Sequence, residues 1–343
     1  MSNEAPAVTG PPIPRSVTIY DVAEVAGVSA STVSRVFSRP GRVSARMAHH
    51  VREVAERLGY HADLPTPPVT RRDNHLIALA VSDITNPAYF GVIRGAESAA
   101  SERGQSLVLL DTQESGEREK DHLNRLIPSL VGAVLASPRL SDQQLRMLAK
   151  QVPLVLVNRA ASGLAGVVPD NGRGVRRAVE HLASFGHTRI GYLAGPENSW
   201  TDGIRWRAMR EAALELELNV VRIPATAPTV SGGRAATDEV LGSRATAIMA
   251  YNDMMAIGLM HALGAMGITV PERLSIIGID NTMPAGLVTP GLTSIGAPML
   301  QLGALATSNV IALAAGAKWQ HDGPIVVPMR LVVRDSTGPA PGR

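Results

Sequence analysis

Residues 18–37 read TIYDVAEVAGVSASTVSRVF. Positions 20–26 can form a short helix, Gly27, Val28 and Ser29 a turn, and positions 30–37 a second helix. In that second helix Val33, Val36 and Phe37 recur at i, i+3, i+4 and make one apolar face. Ala30, Ser31, Ser34 and Arg35 fall on the opposite face. A small helix pinned to its neighbour by an apolar stripe, with small, polar and basic groups outward, suits insertion into the major groove of DNA. Val22, Ala23, Ala26, Val33 and Val36 are read as packing residues. Working outward, Arg39-Pro40-Gly41-Arg42 is a turn, and Ser44 can cap a third helix over 45–58. Met47, Val51, Val54, Ala55 and Leu58 give that helix one apolar face, and Gly59 ends it.

The 343 residues leave room for two or three domains. Aromatics are 3% of the chain, so aliphatic side chains must fill the cores. Net charge is only +3, but Arg35, Arg39, Arg42, Arg46, Arg52, Arg57, Arg71 and Arg72 crowd into the first quarter, an electrostatic footprint for a polyanion. With no cysteine there are no disulfides, thiol nucleophiles or thiolate zinc sites, which fits a reducing cytoplasm. No signal-type segment and no run of about 18 apolar residues occurs, so no membrane partner is expected. Residues 1–16 read as a disordered tail and 61–74, with Pro65, Pro67 and Pro68, as a linker that opposes a continuous helix.

From Leu76 onward, strand-length apolar runs alternate with amphipathic stretches. Strands are expected at 76–81, 106–110, 132–136, 154–157, 189–194, 219–223, 245–250 and 274–279. Helices are expected at 91–103, 118–130, 140–150, 173–185, 204–216, 234–241, 254–266 and 298–315. Alternation of this kind predicts parallel sheets flanked by helices, and the length favours two lobes. Ligands of such sheets bind beyond the carboxyl ends of the strands. Polar residues stand there: Asn86, Asp111, Asn158-Arg159, Asp170-Asn171, Asn252-Asp253 and Asp280-Asn281, with Arg205 in a helix after Gly195. Converging on one cleft, they suit a polyhydroxylated ligand; taken singly, each could equally cap a helix.

Enzyme chemistry finds no support. G-x-S-x-G, H-E-x-x-H and Walker loops are all missing, and Arg177 occupies the third-glycine position of a dinucleotide fingerprint begun by Gly172-Arg173-Gly174. The nine histidines are scattered, so neither catalytic residues, metal nor cofactor is expected.

The headpiece stretch, with Arg42-Val43-Ser44 and Leu58-Gly59-Tyr60, resembles that of the LacI/GalR family of bacterial transcriptional regulators. The likeness continues through Asn86-Pro87, Asp170-Asn171, Glu180-His181-Leu182, Gly186-His187, Asn252-Asp253, Ile277 to Asp280, Leu292 to Ile295, Arg334 and Ser336-Thr337, about 17–338 in all. The resemblance implies a homodimer or dimer of dimers, the dimer being favoured here, on a pseudo-palindromic operator, and a periplasmic-binding-protein-like core that takes a small molecule, usually a sugar. By position it assigns Ala30 and Ser31 to operator discrimination, Arg35 to a base or phosphate, and Thr18, Ser29, Ser34, Arg42 and Tyr60 to DNA contacts. Asn86, Tyr89, Arg159, Asp170, Trp200, Thr201, Arg205, Asn252 and Asp280 are its effector residues, with Trp200 a candidate to stack on a sugar ring. A transport-type sugar-binding protein is the alternative that the core alone would allow.

The domains implied are a tail (1–16), a helix-turn-helix domain (17–62), a Pro-rich hinge (63–74), a core (75–338) and a tail (339–343). Lobe 1 spans about 75–186 and 297–327, lobe 2 about 187–296 and 328–338. Two departures stand out. Val131-Gly132 replaces the usual Asp-Gly, and the hinge carries Thr66 and Val69 where the family has an alanine-leucine wedge. Val69 is a shorter wedge on a segment ill-suited to a helix, so weak central kinking is expected, readable as a small operator bend.

Overall fold

The computed structural model describes residues 17–38, 43–58, 60, 75–224 and 227–342. The terminal tail 1–16, Arg42, Gly59 and the hinge with Thr66 and Val69 lie outside the described residues. The chain divides into two units, Met1–Asp73 and Asn74–Arg343.

In the first unit three helices, α1 (Ile19–Ala26), α2 (Ala30–Ser38) and α3 (Ala45–Leu58), enclose one core. Gly27 ends α1 at φ 64°, where a side chain would be strained. Val22, Val33, Val36 and Val51 are completely buried in that core. The Phe37 ring meets Tyr60 edge-on, with centroids 6.0 Å apart.

The second unit holds two six-stranded sheets. Lobe 1 is built from β1 (Leu76–Val81), β2 (Ser106–Asp111), β3 (Leu130–Ala136), β4 (Leu154–Val157), β5 (Ala165–Pro169) and β11 (Ile325–Val327), ordered β11-β5-β4-β3-β1-β2 and parallel throughout. Its helices are α4 (Ala88–Ser101), α5 (Gly116–Leu126), α6 (Asp142–Ala149) and α12 (Met299–Ala314). Lobe 2 contains β6 (Arg189–Leu193), β7 (Asn219–Ile223), β8 (Ala247–Ala250), β9 (Ser275–Ile279), β10 (Thr293–Gly296) and β12 (Arg330–Val332), ordered β12-β10-β9-β8-β6-β7. There β12 runs antiparallel to β10, a departure from the all-parallel expectation. Lobe 2 also carries α7 (Asn171–Ser184), α8 (Trp200–Glu215), α9 (Val230–Ala235), α10 (Thr237–Gly242) and α11 (Asp253–Ala265). Both faces of each sheet are covered, which is why the strands read as continuous apolar runs rather than alternating ones.

The lobe boundary lies one helix earlier than the sequence reading placed it. Val175, Ala178, Val179 and Leu182 of α7 pack with Ile190, Tyr192 and Met209 of lobe 2, so the chain crosses after Pro169 and not after residue 186. Residues 339–342 are not a loose tail either. Ala340 donates its N–H to the Phe185 carbonyl at 2.9 Å, and buried His187 sits 3.1 Å from the Gly338 carbonyl. In lobe 1, α4 and α12 cross at backbone contact: a Cβ on Gly95 would fall 2.0 Å from the Leu300 carbonyl oxygen, and one on Gly303 2.1 Å from that of Val92.

Candidate ligand cleft and candidate nucleic-acid interface

On the headpiece, Ser31, Ser34 and Arg35 are exposed along α2, and Arg35 has no ion-pair partner among the described residues. Ser29 caps α2, accepting the Thr32 amide at 3.3 Å, with its hydroxyl 2.9 Å from those of Ser31 and Thr32. Thr18 is exposed beside α1, and its N–H and hydroxyl both donate to Asp21 at 2.6 Å. Ala30 is half-buried against the headpiece core and not fully outward as its helical phase suggested. Tyr60 is half-buried with its ring on Phe37, a packing position.

In the core, the carboxyl ends of the strands do gather polar groups. The centre of the lobe 2 wall is Arg205, 3% exposed on α8. Its Nε donates to Asn171 Oδ1 at 3.0 Å and its Nη1 to the Tyr251 carbonyl at 2.6 Å; Nη2 lies 3.7 Å from Asp280 Oδ1. The guanidinium also sits 5.0 Å from the centre of the Tyr251 ring, a cation–π distance. The Tyr251 hydroxyl is 2.9 Å from Ser199 Oγ and 3.3 Å from Thr201 Oγ1. Gly195 makes room for this ring: a Cβ there would lie 2.3 Å from Tyr251 Cδ2.

Lobe 1 contributes Tyr89, whose hydroxyl lies 2.7 Å from Ser82 Oγ. Beside it, Arg139 donates from Nε to Glu114 Oε2 at 2.6 Å, while its backbone N–H donates to Glu119 at 2.9 Å. Gln113, Glu114, Ser137 and Asn158, which follow β2, β3 and β4, all hold positive φ of 50–61°, and Asp280 after β9 holds 114°. Strained backbone gathered at strand ends marks a site where geometry is held against local preference.

Three of the sequence-assigned effector residues are spent on the fold. Arg159 donates to the carbonyls of Pro138 and Leu140 at 3.0 and 2.6 Å and to Asp142 at 2.7 Å, strapping one lobe 1 loop. Asp170 caps α7 by accepting the Arg173 amide at 3.1 Å. Asn252 caps α11 through Met255 N at 2.9 Å and donates to the Pro228 carbonyl at 2.8 Å. Trp200 is half-buried at the first position of α8. Trp206 packs on Tyr192 with rings stacked at 5.8 Å. Sequence reasoning placed Asn171 at a strand end without assigning it to the effector set, and it missed Tyr251, Arg139 and Glu114.

The buried carboxyls titrate late. Burial pushes Asp280 up to about 7 despite the pull of Arg205, Glu119 up to about 7, and Asp253 up to about 6. An unfolded Asp loses its proton near pH 4. The Asp280 contribution to stability is therefore fully present below that pH and is lost as pH rises toward 7. Burial lowers His181 and His187, which act in the opposite sense below about pH 6.5. Comparison with a variant isolates the carboxyl: urea unfolding at about pH 5 and about pH 7.5 should show Asp280→Asn losing less stability over that interval than the parent protein. Equal losses would remove Asp280 as a titrating group.

A cleft of about 490 Å³ opens between the lobes, lined by Asp83, Thr85 and Asn86 on one side and by Pro228, Thr229, Val230, Ser231, Arg234 and Met254 on the other. Of the sequence-assigned effector residues only Asn86 lines this open volume; the Arg205 cluster lies buried. Among the described residues no trio of His, Asp or Glu is placed to hold a metal ion, and no helix is long and apolar enough to cross a membrane.

Residues 18–63 match the family described as bacterial regulatory proteins, lacI family, and residues 179–337 match the periplasmic binding protein-like domain. The chain is 32% identical to the HTH-type transcriptional regulator DegA of Bacillus subtilis, over 94% of this chain and 98% of that protein. Among solved structures it is similar to a complex of the transcriptional regulator CelR with cellobiose, at TM-score 0.69 and 28% identity, covering 93% of this chain and 99% of that one. It is also similar to the lac repressor dimer bound to operator and the anti-inducer ONPF, at TM-score 0.70 and 26% identity, covering 94% and 100%.

Proposed function

The chain belongs to the LacI/GalR family of bacterial transcriptional regulators, and from that premise we propose a cytoplasmic repressor whose operator affinity is set by a sugar held between its lobes. The observation that carries the ligand reading is the buried Arg205 cluster. An arginine, an amide, a tyrosine and a carboxyl converge at the carboxyl ends of the lobe 2 strands, where hydroxyl groups can be both donated to and accepted from. Asn86, Tyr89, Thr201, Arg205 and Asp280 are the effector residues in this reading, joined by Asn171 and Tyr251. Ser31, Ser34 and Arg35 face the operator bases and backbone, and Thr18 and Ser29 lie at the backbone. The sugar bound by CelR supports the ligand class, and the operator-bound lac repressor supports DNA as partner.

A homodimer is the assembly we propose. Strand β2 is a sheet edge whose Leu107, Val108, Leu109 and Leu110 are all only half-buried. Phe90 is 55% exposed on α4, and Met283 and Leu287 are 71% and 72% exposed in lobe 2. An apolar edge strand of this kind is a liability unless another chain covers it. Fluorescence anisotropy on operator-containing fragments at about 150 mM salt, repeated with added sugars, tests the function, because non-specific phosphate contacts weaken steeply at that salt. Sequence-specific binding released by a sugar is the expected result. Binding that ignores both sequence and sugar would overturn it.

A further inference from the structure

Resting on the sugar-cleft reading, we propose that Arg234 is a specificity residue at the cleft mouth and that the effector is a sugar bearing an anionic group, a phosphate or a carboxylate. Arg234 sits on α9 in lobe 2, lines the 490 Å³ opening and has no side-chain partner among the described residues. An arginine left unpaired on the wall of a concave site is a planar fork of donors suited to paired oxygens.

The groups around it decide what those oxygens belong to. Asn86 spends its carbonyl oxygen on the Ala88 amide at 3.0 Å, which leaves its NH₂ as the free end. Thr229 Oγ1 accepts the Gly232 amide at 3.2 Å and lies 2.8 Å from Ser231 Oγ, so this hydroxyl pair retains a hydrogen to give. The Pro228 carbonyl, an acceptor on the same wall, is taken by Asn252 Nδ2 at 2.8 Å. The donors of the mouth with no bond of their own among the described residues are thus a guanidinium, an amide NH₂ and a hydroxyl hydrogen, and of these the guanidinium alone carries charge. A neutral sugar's hydroxyl oxygens can accept from these donors but bring the guanidinium no opposite charge. An oxyanion supplies both the acceptors and the charge.

Asp83 is the countervailing charge on the facing wall. Its Oδ1 already accepts the Thr85 amide at 2.8 Å and the Thr85 hydroxyl at 2.6 Å, and its second oxygen remains as an acceptor. A ligand that is anionic at one end and hydroxylated at the other satisfies both walls, with the anion toward Arg234 and the hydroxyls toward Asp83.

The test is a paired panel on the purified full-length protein. Hexoses and pentoses are each measured beside their phosphate esters and their sugar acids, by thermal shift and then calorimetry, with inorganic phosphate as the charge-only control. The expected result is that a charged sugar binds at least tenfold tighter than its neutral parent. Arg234→Gln should remove that preference, and Arg234→Lys should keep part of it, since a point charge replaces a fork. The ester and acid arms separate phosphate from carboxylate. Neutral sugars that bind while their charged forms do not would overturn this inference and leave the sugar cleft standing. An unchanged preference in Arg234→Gln would overturn it too, and a panel in which nothing binds would sink the sugar reading along with it.

Discussion

Replacing Arg205 with alanine is expected to cost about 3–5 kcal/mol of unfolding free energy, the range seen when one partner of a buried pair is removed. The loss has three sources. Asp280, buried beside it, loses its one ion-pair partner among the described residues. The Asn171 amide oxygen loses its bond from Nε, and the Tyr251 carbonyl loses its bond from Nη1. A buried acceptor stripped of its donor costs about 1–3 kcal/mol. Asp280 softens the total, because burial already holds its carboxyl up to about 7 and it can take a proton in place of the lost partner. The double variant Arg205→Ala/Asp280→Asn should therefore regain part of the loss, a coupling that urea unfolding reads directly as non-additivity. Arg205→Ala should also abolish the ligand-induced rise in melting temperature. A variant as stable as the parent, or one that still shows the full ligand shift, would remove Arg205 from the centre of the cleft.

That cluster was only half legible in the sequence, and the reason is one of phase. Pattern showed that polar residues follow strands, but not whether a given residue sits at the cap of the next helix or one step inside it. Asp170 and Asn171 are neighbours, and the cap went to Asp170 while Asn171 turned to Arg205. A one-residue offset in the other direction separates Asn252, a cap, from Tyr251, whose ring lies under the guanidinium. Arg139 gave no local signal at all, because its carboxylates come from 20 and 25 positions away. A salt bridge across that separation depends on how β2 and β3 flank β1 in the sheet, and sequence spacing carries no trace of it.

The fold was more legible where burial is one-sided. The three headpiece helices and most core helices follow from their apolar faces. The four strands outside the expected list, β5, β10, β11 and β12, are three to five residues long, and unlike the equally short β4 (LVLV) and β8 (AIMA) none is an unbroken apolar run of four residues. The lobe assignment of α7 failed for a different reason. Its stripe of Val175, Ala178, Val179 and Leu182 states that the helix is packed, but which sheet receives it is a tertiary fact. A stripe facing either sheet would read the same.

The headpiece leads to the second large effect. Arg35→Ala is expected to weaken operator binding by about 1–3 kcal/mol at each half-site, the worth of one good bidentate base contact. A dimer that engages both half-sites would lose about twice that. The prediction falls on Arg35 because its companions on α2 have little to offer. Ala30 is apolar and half-buried against the headpiece core, and the Ser31 hydroxyl lies 2.9 Å from that of Ser29. Arg35 is exposed and unpaired among the described residues, so its donors are free for a guanine edge. Anisotropy on the operator and on a scrambled duplex, across salt, separates base from phosphate. A base contact costs the operator much more than the scrambled site. A phosphate contact costs both alike and lowers the salt slope by about 1 for each arginine removed. Equal losses on the two duplexes would move discrimination away from Arg35 and back to Ser31, whose single hydroxyl would then have to choose among bases that each offer it a partner.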